Sequence, residues 1–309
     1  MKISVILCTY NRYKTLAIAL QSLCQQKTNG SFDYEIIVVD NNSKDQTKET
    51  VEALAKENPK IRYVFEPKQG ISNARNAGIH AALGEIIAFT DDDVIIDPHW
   101  MNSFVECFKE YRCDAIGGRV LPIFPAGTPL WVKNNPVKIS GGVVICDCGE
   151  ETAIYDPLRF YFIGANFAFR KEIFNECGYF RDDWQYKGIC IGDDTEFIER
   201  VMKKNKILYY CANAIVHHPV DISRITLRHA ARWHIAAGHF DAWREQKNND
   251  VHYVYWLGVP RYLWKRFVVD SLRLCFSVFS RPTLYNSCKG FFRTVGMIQG
   301  YLTLNHKNS

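Results

Sequence analysis

Over the first 90 residues, mostly apolar runs of strand length alternate with stretches of helical periodicity. The runs are 3–8, 35–40, 61–65 and 85–90, and the helical stretches between them are 16–25, 47–57 and 72–83. This alternation predicts an α/β domain with a mostly parallel sheet and helices on both of its faces. Ligands bind at the carboxyl ends of the strands in such sheets, so we expect the functional site there.

The pattern changes twice further along the chain. From 117 to 222, short β-rich pieces are separated by Gly and Pro, which indicates mixed sheet and loops. Residues 223–309 have helical character. A chain of 309 residues is long enough for one large domain with such a C-terminal helical appendage.

The C-terminal segment 251–309 is strongly basic. It contains eight Lys or Arg and one acid, Asp270, whereas the formal net charge of the whole chain is +5. Basic residues beside Trp, Phe and Leu favour peripheral contact with an anionic membrane surface. The alternative is a helical hairpin that packs on the rest of the chain or across a homo-oligomer interface. The chain has no uninterrupted run of about 18 apolar residues, so no membrane-spanning helix is predicted.

The cysteines indicate the compartment. The chain has 11 of them without a regular spacing, which predicts free thiols in a reducing environment. The apolar run 3–8 is too short for the core of a signal peptide. We therefore expect a cytoplasmic protein, located on the inner face of the membrane where 251–309 binds lipid, and we expect no nucleic-acid partner.

Three adjacent carboxylates, Asp91, Asp92 and Asp93, close the fourth predicted strand. Neighbouring carboxylates repel one another unless a cation or solvent neutralises them. Alternate side chains at a strand end project the same way, so Asp91 and Asp93 are predicted to share one Mn²⁺ or Mg²⁺. The alternative is an exposed acidic turn that caps the next helix.

Two further polar residues are expected near the same edge. Asp40 ends the second predicted strand and can accept a hydrogen bond from a nucleobase N–H or a ribose hydroxyl, with a helix N-cap as the alternative. Arg75 lies on a predicted helix whose start faces this edge. Its guanidinium can bind phosphate or neutralise the acids, and an ordinary surface arginine is the alternative.

A second acidic pair, Asp193 and Asp194, follows Gly192 at a predicted helix start. Acids at a helix start often only complement the helix dipole. A metal-assisted transfer, however, needs one set of carboxylates for the metal and another carboxylate to take a proton. The pair therefore provides a candidate general base.

Together these segments resemble glycosyltransferase family 2 over roughly residues 1–220. The motifs are VILCTYNR at 5–12, IVVDNNS at 37–43, GISNARNAG at 70–78, FTDDD at 89–93 and GDDTEF at 192–197. The resemblance implies a GT-A catalytic domain over 1–222, in which 1–116 binds the nucleotide sugar and 117–222 binds the acceptor. It leaves 223–309 as the helical C-terminal region.

The resemblance also implies roles in donor binding. Thr9 and Tyr10 would form the turn that packs against the nucleobase, and Asp40 would recognise that base, typically uracil. Arg75 would face the base or the diphosphate, and Asp92 would contact the ribose or the donor sugar.

Metal and acceptor residues follow in the same way. The resemblance implies that Asp93 is the main metal ligand, beside Asp91, and that Asp194 is the catalytic base. Asp193 would contact the acceptor, although the family usually has Glu at that position. His217 is predicted as a third metal ligand, with a purely structural histidine as the alternative.

Asn166 and Trp184 are the other predicted acceptor contacts. They resemble residues of the acceptor-side wall, although core packing is an open alternative for Trp184.

The expected activity is inverting, metal-dependent transfer of a sugar from a UDP-sugar to an acceptor hydroxyl. The expected acceptor is a saccharide, carried on a lipid, in the synthesis of cell-surface polysaccharide or glycan. One alternative is a catalytically inactive module that binds sugar nucleotides. Another is a nucleotidyltransferase, which should carry a Gly- and Lys-rich phosphate loop that residues 10–12 do not provide.

Overall fold

The computed structural model describes residues 1–28, 30–139, 141–159, 161–184, 186, 191–248, 252–277 and 279–305. Lys307, one of the basic residues counted above, lies outside them. The chain divides into two compact units. The sheet unit comprises Met1–Ile123, Ile145–Asp182 and Asp193–Pro219, and the helical unit comprises Phe124–Val144, Asp183–Gly192 and the part that begins at Val220. Two segments before the predicted boundary at 222 therefore belong to the helical unit.

The described residues of the sheet unit form one sheet of nine strands. These are β1 (Lys2–Thr9), β2 (Asp33–Asp40), β3 (Ile61–Phe65), β4 (Ile86–Asp91), β5 (Ile95–Ile96), β6 (Ala115–Ile123), β7 (Ala153–Ile154), β8 (Asn166–Arg170) and β9 (Leu208–Pro219). Their order is β3-β2-β1-β4-β8-β6-β9-β5, and β7 pairs with β9. The first four in this order are parallel, as are β6 and β9, whereas β8 is antiparallel to both of its neighbours.

Ten helices are described, and most of them follow a strand. They are α1 (Tyr13–Cys24), α2 (Thr47–Glu57), α3 (Ile71–Ala81), α4 (Trp100–Tyr111), α5 (Leu130–Lys133), α6 (Glu172–Cys177), α7 (Asp193–Lys203), α8 (Leu227–Asn248), α9 (Arg261–Phe276) and α10 (Arg281–Asn305). The helical unit contains α5, α8, α9 and α10, with a short ribbon of β10 (Tyr255–Trp256) and β11 (Val259–Pro260). The predicted α/β class, with a mostly parallel sheet and C-terminal helices, is confirmed.

Burial on both faces explains the apolar strands. In β1, Val5, Ile6 and Leu7 are all fully buried, because adjacent side chains point to opposite faces and helices cover both. At the centre of the sheet, an aromatic cluster fills the space beneath the strand ends. Phe89 on β4 contacts Phe167 on β8 edge to face, with ring centroids 5.2 Å apart. This cluster holds the end of β4 and the start of β8 in place.

Close packing of α8 and α10 organises the helical unit. A Cβ atom added to Gly238 or Gly296 would lie 2.1 or 2.2 Å from a backbone carbonyl oxygen of the other helix, so only glycine permits this approach. Arg293 on α10 also donates two hydrogen bonds to Asp241 on α8, at 2.5 and 2.9 Å. None of the described helices combines the length and the apolarity that crossing a bilayer requires.

Candidate active site

The ends of β1 and β4 meet through side-chain hydrogen bonds. The two strands are parallel neighbours, with Cys8 opposite Asp91. Thr9 Oγ1 donates to Asp92 Oδ2 at 2.7 Å. Arg12 Nη1 donates to Asp92 Oδ1 at 3.0 Å and to Asp93 Oδ2 at 2.8 Å. Arg12 therefore places a positive charge beside Asp92 and Asp93. We call Asp91, Asp92 and Asp93 the acidic edge.

Sequence reasoning did not assign a role to Arg12. The signal that would have found it is its place in the turn after β1, because that turn lies at the same sheet edge as the three acids.

Asp91, Asp93 and His218 form a candidate metal site. One ligand atom from each lies within 4.8 Å of the other two, and His218 Nε2 is 3.5 Å from Asp93 Oδ1. The other ring nitrogen of His218, Nδ1, is 3.0 Å from the Pro219 carbonyl oxygen. A proton on Nδ1 satisfies this carbonyl and leaves the Nε2 lone pair directed at the carboxylates, as in many metal-binding histidines.

The structure thus corrects the choice of histidine. His217 was expected at the metal, but the structure brings its neighbour His218 to the acids. Adjacent residues of a strand point to opposite faces, so only one of the two can face this site.

Burial raises the free energy of the ionised carboxylates at the end of β4. Burial, followed by the negative charge of Asp93, raises the pKa of Asp91 to about 6, although the charges of Arg75 and His218 oppose this. Burial also raises the pKa of Asp92, although the hydrogen bond from Thr9 and the charge of Arg12 oppose this. Carboxylates in such surroundings favour the binding of a cation, because it offsets both their desolvation and their mutual repulsion.

Asp40 is buried at the end of β2, and each of its carboxylate oxygens accepts a hydrogen bond from the chain. Ser43 N donates to its Oδ1 and the Tyr63 hydroxyl donates to its Oδ2, each at 2.8 Å. Burial, followed by this hydrogen bond, raises the pKa of Tyr63. Each carboxylate oxygen has a second lone pair, so Asp40 can still accept from a ligand.

The two residues of the predicted nucleobase turn differ in exposure. Thr9 is buried and donates to Asp92, whereas Tyr10 is 46% exposed. Of the two residues, Tyr10 is therefore the one that is open to a ligand.

Arg75 on α3 is buried and forms an ion pair with Asp193. Its guanidinium lies over the rings of Phe167 and Phe180, at 5.5 and 5.2 Å from their centroids. Burial lowers the pKa of Arg75, but the charges of Asp193 and its neighbours outweigh burial, so the pKa is raised. Gly164 covers the group so closely that an added Cβ atom would lie 2.0 Å from Arg75 Nη2. Arg75 was expected to face the base or the diphosphate. In this structure its guanidinium instead pairs with Asp193 in the first turn of α7.

Asp194 lies in the first turn of α7 and is held by backbone donors. Gly164 N donates to its Oδ2 at 3.2 Å, and Thr195 N donates to its Oδ1 at 2.7 Å. Burial raises its pKa, and the charge of Asp193 adds to this. The two adjacent acids therefore differ, since Asp193 is matched by Arg75 and Asp194 has the raised pKa that suits a proton acceptor.

The structure does not support Asn166 as an acceptor contact. Its side chain is fully buried, and the Trp100 indole N–H donates to its Oδ1 at 2.7 Å. Its Nδ2 donates to the carbonyl oxygens of Arg119 and Ala214, both at 2.8 Å. The amide thus joins α4, β6 and β9 and has a structural role. Trp184 belongs to the helical unit, where its ring centroid is 5.1 Å from that of Phe240.

Replacing Asn166 by alanine is expected to lower the free energy of unfolding by about 3 kcal/mol, because an indole N–H and two carbonyls lose their buried partner. Urea denaturation of wild type and N166A measures this. Asn213 is exposed on β9, so N213A is the matched control and should stay within about 0.5 kcal/mol of wild type. Full stability in N166A, with transfer alone impaired, would restore the acceptor role.

The chain is similar to known proteins in both sequence and fold. Residues 4–178 match the model of glycosyl transferase family 2. Chondroitin synthase of Escherichia coli is 30% identical over 244 residues, which cover 70% of this chain and 34% of that protein. The chain therefore spans about a third of the length of this relative.

Two solved structures show the same fold. One is the mannosyltransferase PcManGT from Pyrobaculum calidifontis in complex with GDP-Man and Mn²⁺, with a TM-score of 0.60 and 18% identity over 99% of this chain and 86% of that chain. The other is S. aureus TarS 1-349 in complex with UDP-GlcNAc, with a TM-score of 0.58 and 18% identity over 100% of this chain and 91% of that chain.

Proposed function

Since the chain belongs to glycosyl transferase family 2, we propose that it transfers a sugar from a UDP-sugar to a saccharide hydroxyl with inversion at the anomeric carbon. The GT-A fold implied by the family resemblance is confirmed. The observation that carries the proposal is the convergence of Asp91, Asp93 and His218, whose ligand atoms lie within 4.8 Å of one another. Such a cluster can hold a divalent cation, which would neutralise the diphosphate of a nucleotide sugar as it leaves.

The donor is proposed to be bound along the ends of β1, β2 and β4. Asp40 would accept from the uracil imide while Tyr63 and Ser43 hold it in place. The exposed ring of Tyr10 would stack on the base. The TarS structure, which contains UDP-GlcNAc, supports uridine as the nucleoside, whereas the PcManGT complex contains GDP-Man.

The proposed cofactor is Mn²⁺ or Mg²⁺. Two carboxylates suit both ions, and the imidazole of His218 favours Mn²⁺, because Mg²⁺ prefers oxygen ligands. Bound there, the ion would supply the charge that stabilises the diphosphate leaving group. Arg12 already contacts two of the three acids and would add a second positive charge near the same phosphates.

Asp194 is the proposed general base. It would take the proton of the acceptor hydroxyl as the oxygen bonds to the anomeric carbon and the bond to the diphosphate breaks. Its raised pKa brings it closer to neutral pH, where a carboxylate base is more effective. Arg75 acts as a positioning residue, because it neutralises Asp193 and thereby fixes the first turn of α7.

The proposed acceptor is a lipid-linked saccharide of a cell-surface polysaccharide or glycan, met at the inner face of the membrane. Chondroitin synthase, a relative named for making a polysaccharide, supports the saccharide. The basic segment 251–309 supports the lipid carrier.

A thermal-shift panel tests the donor and the cofactor. UDP, GDP and dTDP, and their sugars, are added with and without Mn²⁺. A UDP-sugar with Mn²⁺ is expected to raise the melting temperature most, since about 100-fold excess over Kd adds about 2.7 kcal/mol to stability. A larger rise with GDP-sugars would correct the nucleoside. No rise with any nucleotide, together with no UDP release when acceptors are added, would refute the proposal.

A further inference from the structure

Large apolar side chains are exposed along α9 and the turn that follows it. Val268, Val269, Leu272, Phe276 and Phe279 are 57%, 45%, 55%, 77% and 92% exposed. We call these five residues the apolar crest. Isolated exposed apolar residues are common, but a continuous group of this kind marks a surface that contacts something else.

The crest is the outer face of a helix whose inner face is already packed. Residues 265, 268, 269, 272 and 276 recur at intervals of three and four, which puts them on one side of α9. On the opposite side, Leu263 is fully buried, and buried Asp270 accepts from Thr294 on α10 at 2.8 Å. The crest is therefore not a core face of the hairpin that α9 and α10 form.

An open groove of about 430 Å³ runs beside the crest. Val269, Leu272 and Phe276 line one side, and Thr283 and Ser287 from α10 lie on the other. Room for an apolar chain thus lies next to the exposed phenylalanines.

The charges around the crest are positive. Arg261, Lys265, Arg266 and Arg273 on α9, with Arg281 at the start of α10, are all exposed. The acid of this segment, Asp270, is buried, 3.6 Å from Arg266 and 3.8 Å from Arg273. Among the described residues, the hairpin from Arg261 to Phe292 therefore presents no negative side chain to solvent.

We propose that the apolar crest inserts into the headgroup region of an anionic lipid bilayer. Exposed Phe, Leu and Val within a ring of Arg and Lys complement a surface that is negative outside and apolar beneath. A second copy of the chain is a poorer occupant, because a symmetric contact would set this basic ring against itself. The contact deepens the membrane location given for the acceptor in the proposed function, but it needs neither the donor nor the metal nor the base assigned above.

Co-sedimentation of the full chain with vesicles of phosphatidylcholine, with and without phosphatidylglycerol, tests this. Wild type is expected to bind the anionic vesicles, and the double variant F276S/F279S should partition at least tenfold less, since each Phe loses its apolar burial. K265E/R281E should lose the preference for anionic lipid, because attraction becomes repulsion. Both variants change exposed residues only, so their melting temperatures should match that of wild type.

The matched control is L83S/L158S, which removes two exposed leucines from the sheet unit and should bind vesicles as wild type does. Equal binding by F276S/F279S and wild type, or no binding by wild type, would overturn the proposal. A dimer that F276S/F279S converts to a monomer in sedimentation velocity without lipid would assign the crest to a second copy instead. Vesicle binding without any nucleotide-induced thermal shift would leave this contact standing and reject the proposed function.

Discussion

Replacing Asp93 by alanine is expected to abolish the stabilisation that Mn²⁺ adds to UDP binding and to lower the transfer rate roughly a thousandfold. Asp93 belongs to the three-residue metal site, and its carboxylate also contacts Arg12 at 2.8 Å. Its removal leaves two ligands for the ion and removes one of the two carboxylates that hold Arg12. The loss should therefore affect metal-dependent binding as well as turnover.

Thermal shift with UDP, measured with and without Mn²⁺, gives the first readout, and UDP release gives the second. Two adjacent histidines provide a matched control. H218A should lose most of the Mn²⁺-dependent increment, and H217A should keep it, because only His218 reaches the carboxylates. A wild-type increment in D93A would contradict the ligand assignment, and loss in H217A alone would return the metal to the histidine expected from the sequence.

Replacing Asp194 by asparagine is expected to lower transfer by about a thousandfold to ten-thousandfold while donor binding is preserved. The amide keeps the size of the carboxylate but has one oxygen, so it can accept from Gly164 N or from Thr195 N and not from both. It cannot take a proton from the acceptor hydroxyl. The fold and the donor pocket should be preserved at a stability cost of about 1 kcal/mol, and transfer should fail at the chemical step.

Single-turnover transfer and the thermal shift with UDP-sugar and Mn²⁺ separate these effects. D193N, the same change one residue earlier, is the control with the opposite expectation. It removes the partner of buried Arg75, so stability should fall by about 3–5 kcal/mol. Wild-type turnover in D194N, or a D193N variant as stable as wild type, would show that the roles of the two acids have been misassigned.

The first part of the fold was accessible from sequence. The predicted runs at 3–8, 35–40, 61–65 and 85–90 correspond to β1 through β4, and no end differs by more than two residues. Strands buried on both faces are continuous apolar runs, so their location does not depend on knowing which side chain faces which way.

The choice between His217 and His218 did depend on that orientation. In the pairing of β6 with β9, Gly118 is opposite Cys211 and Arg119 is opposite Ile215, so the register shifts in between. Such an irregularity changes which residues of β9 face the site. It is produced by the packing of strands far apart in sequence, and local spacing carries no trace of it.

Local sequence patterns also did not reveal which polar side chains are buried. Arg75 and Asn166 both carry polar groups that suit a ligand, and both are used inside the protein. Their partners, such as Asp193 and Trp100, are many residues away. A polar residue in a motif therefore indicates a contact but does not say whether the partner is a substrate or the chain itself.

The contacts of the candidate site join distant parts of the chain. Thr9 donates to Asp92 across 83 residues, and Arg75 donates to Asp193 across 118. During synthesis, the amino-terminal strands leave the ribosome long before α7 and β9 exist. Until β9 joins the sheet, the nascent protein holds three crowded carboxylates without the histidine that completes their group. With the proposed roles of Asp194 and His218, the site is complete only after α7 has formed and β9 has joined the sheet, so a chain released earlier is expected to be inactive even if its first four strands have folded.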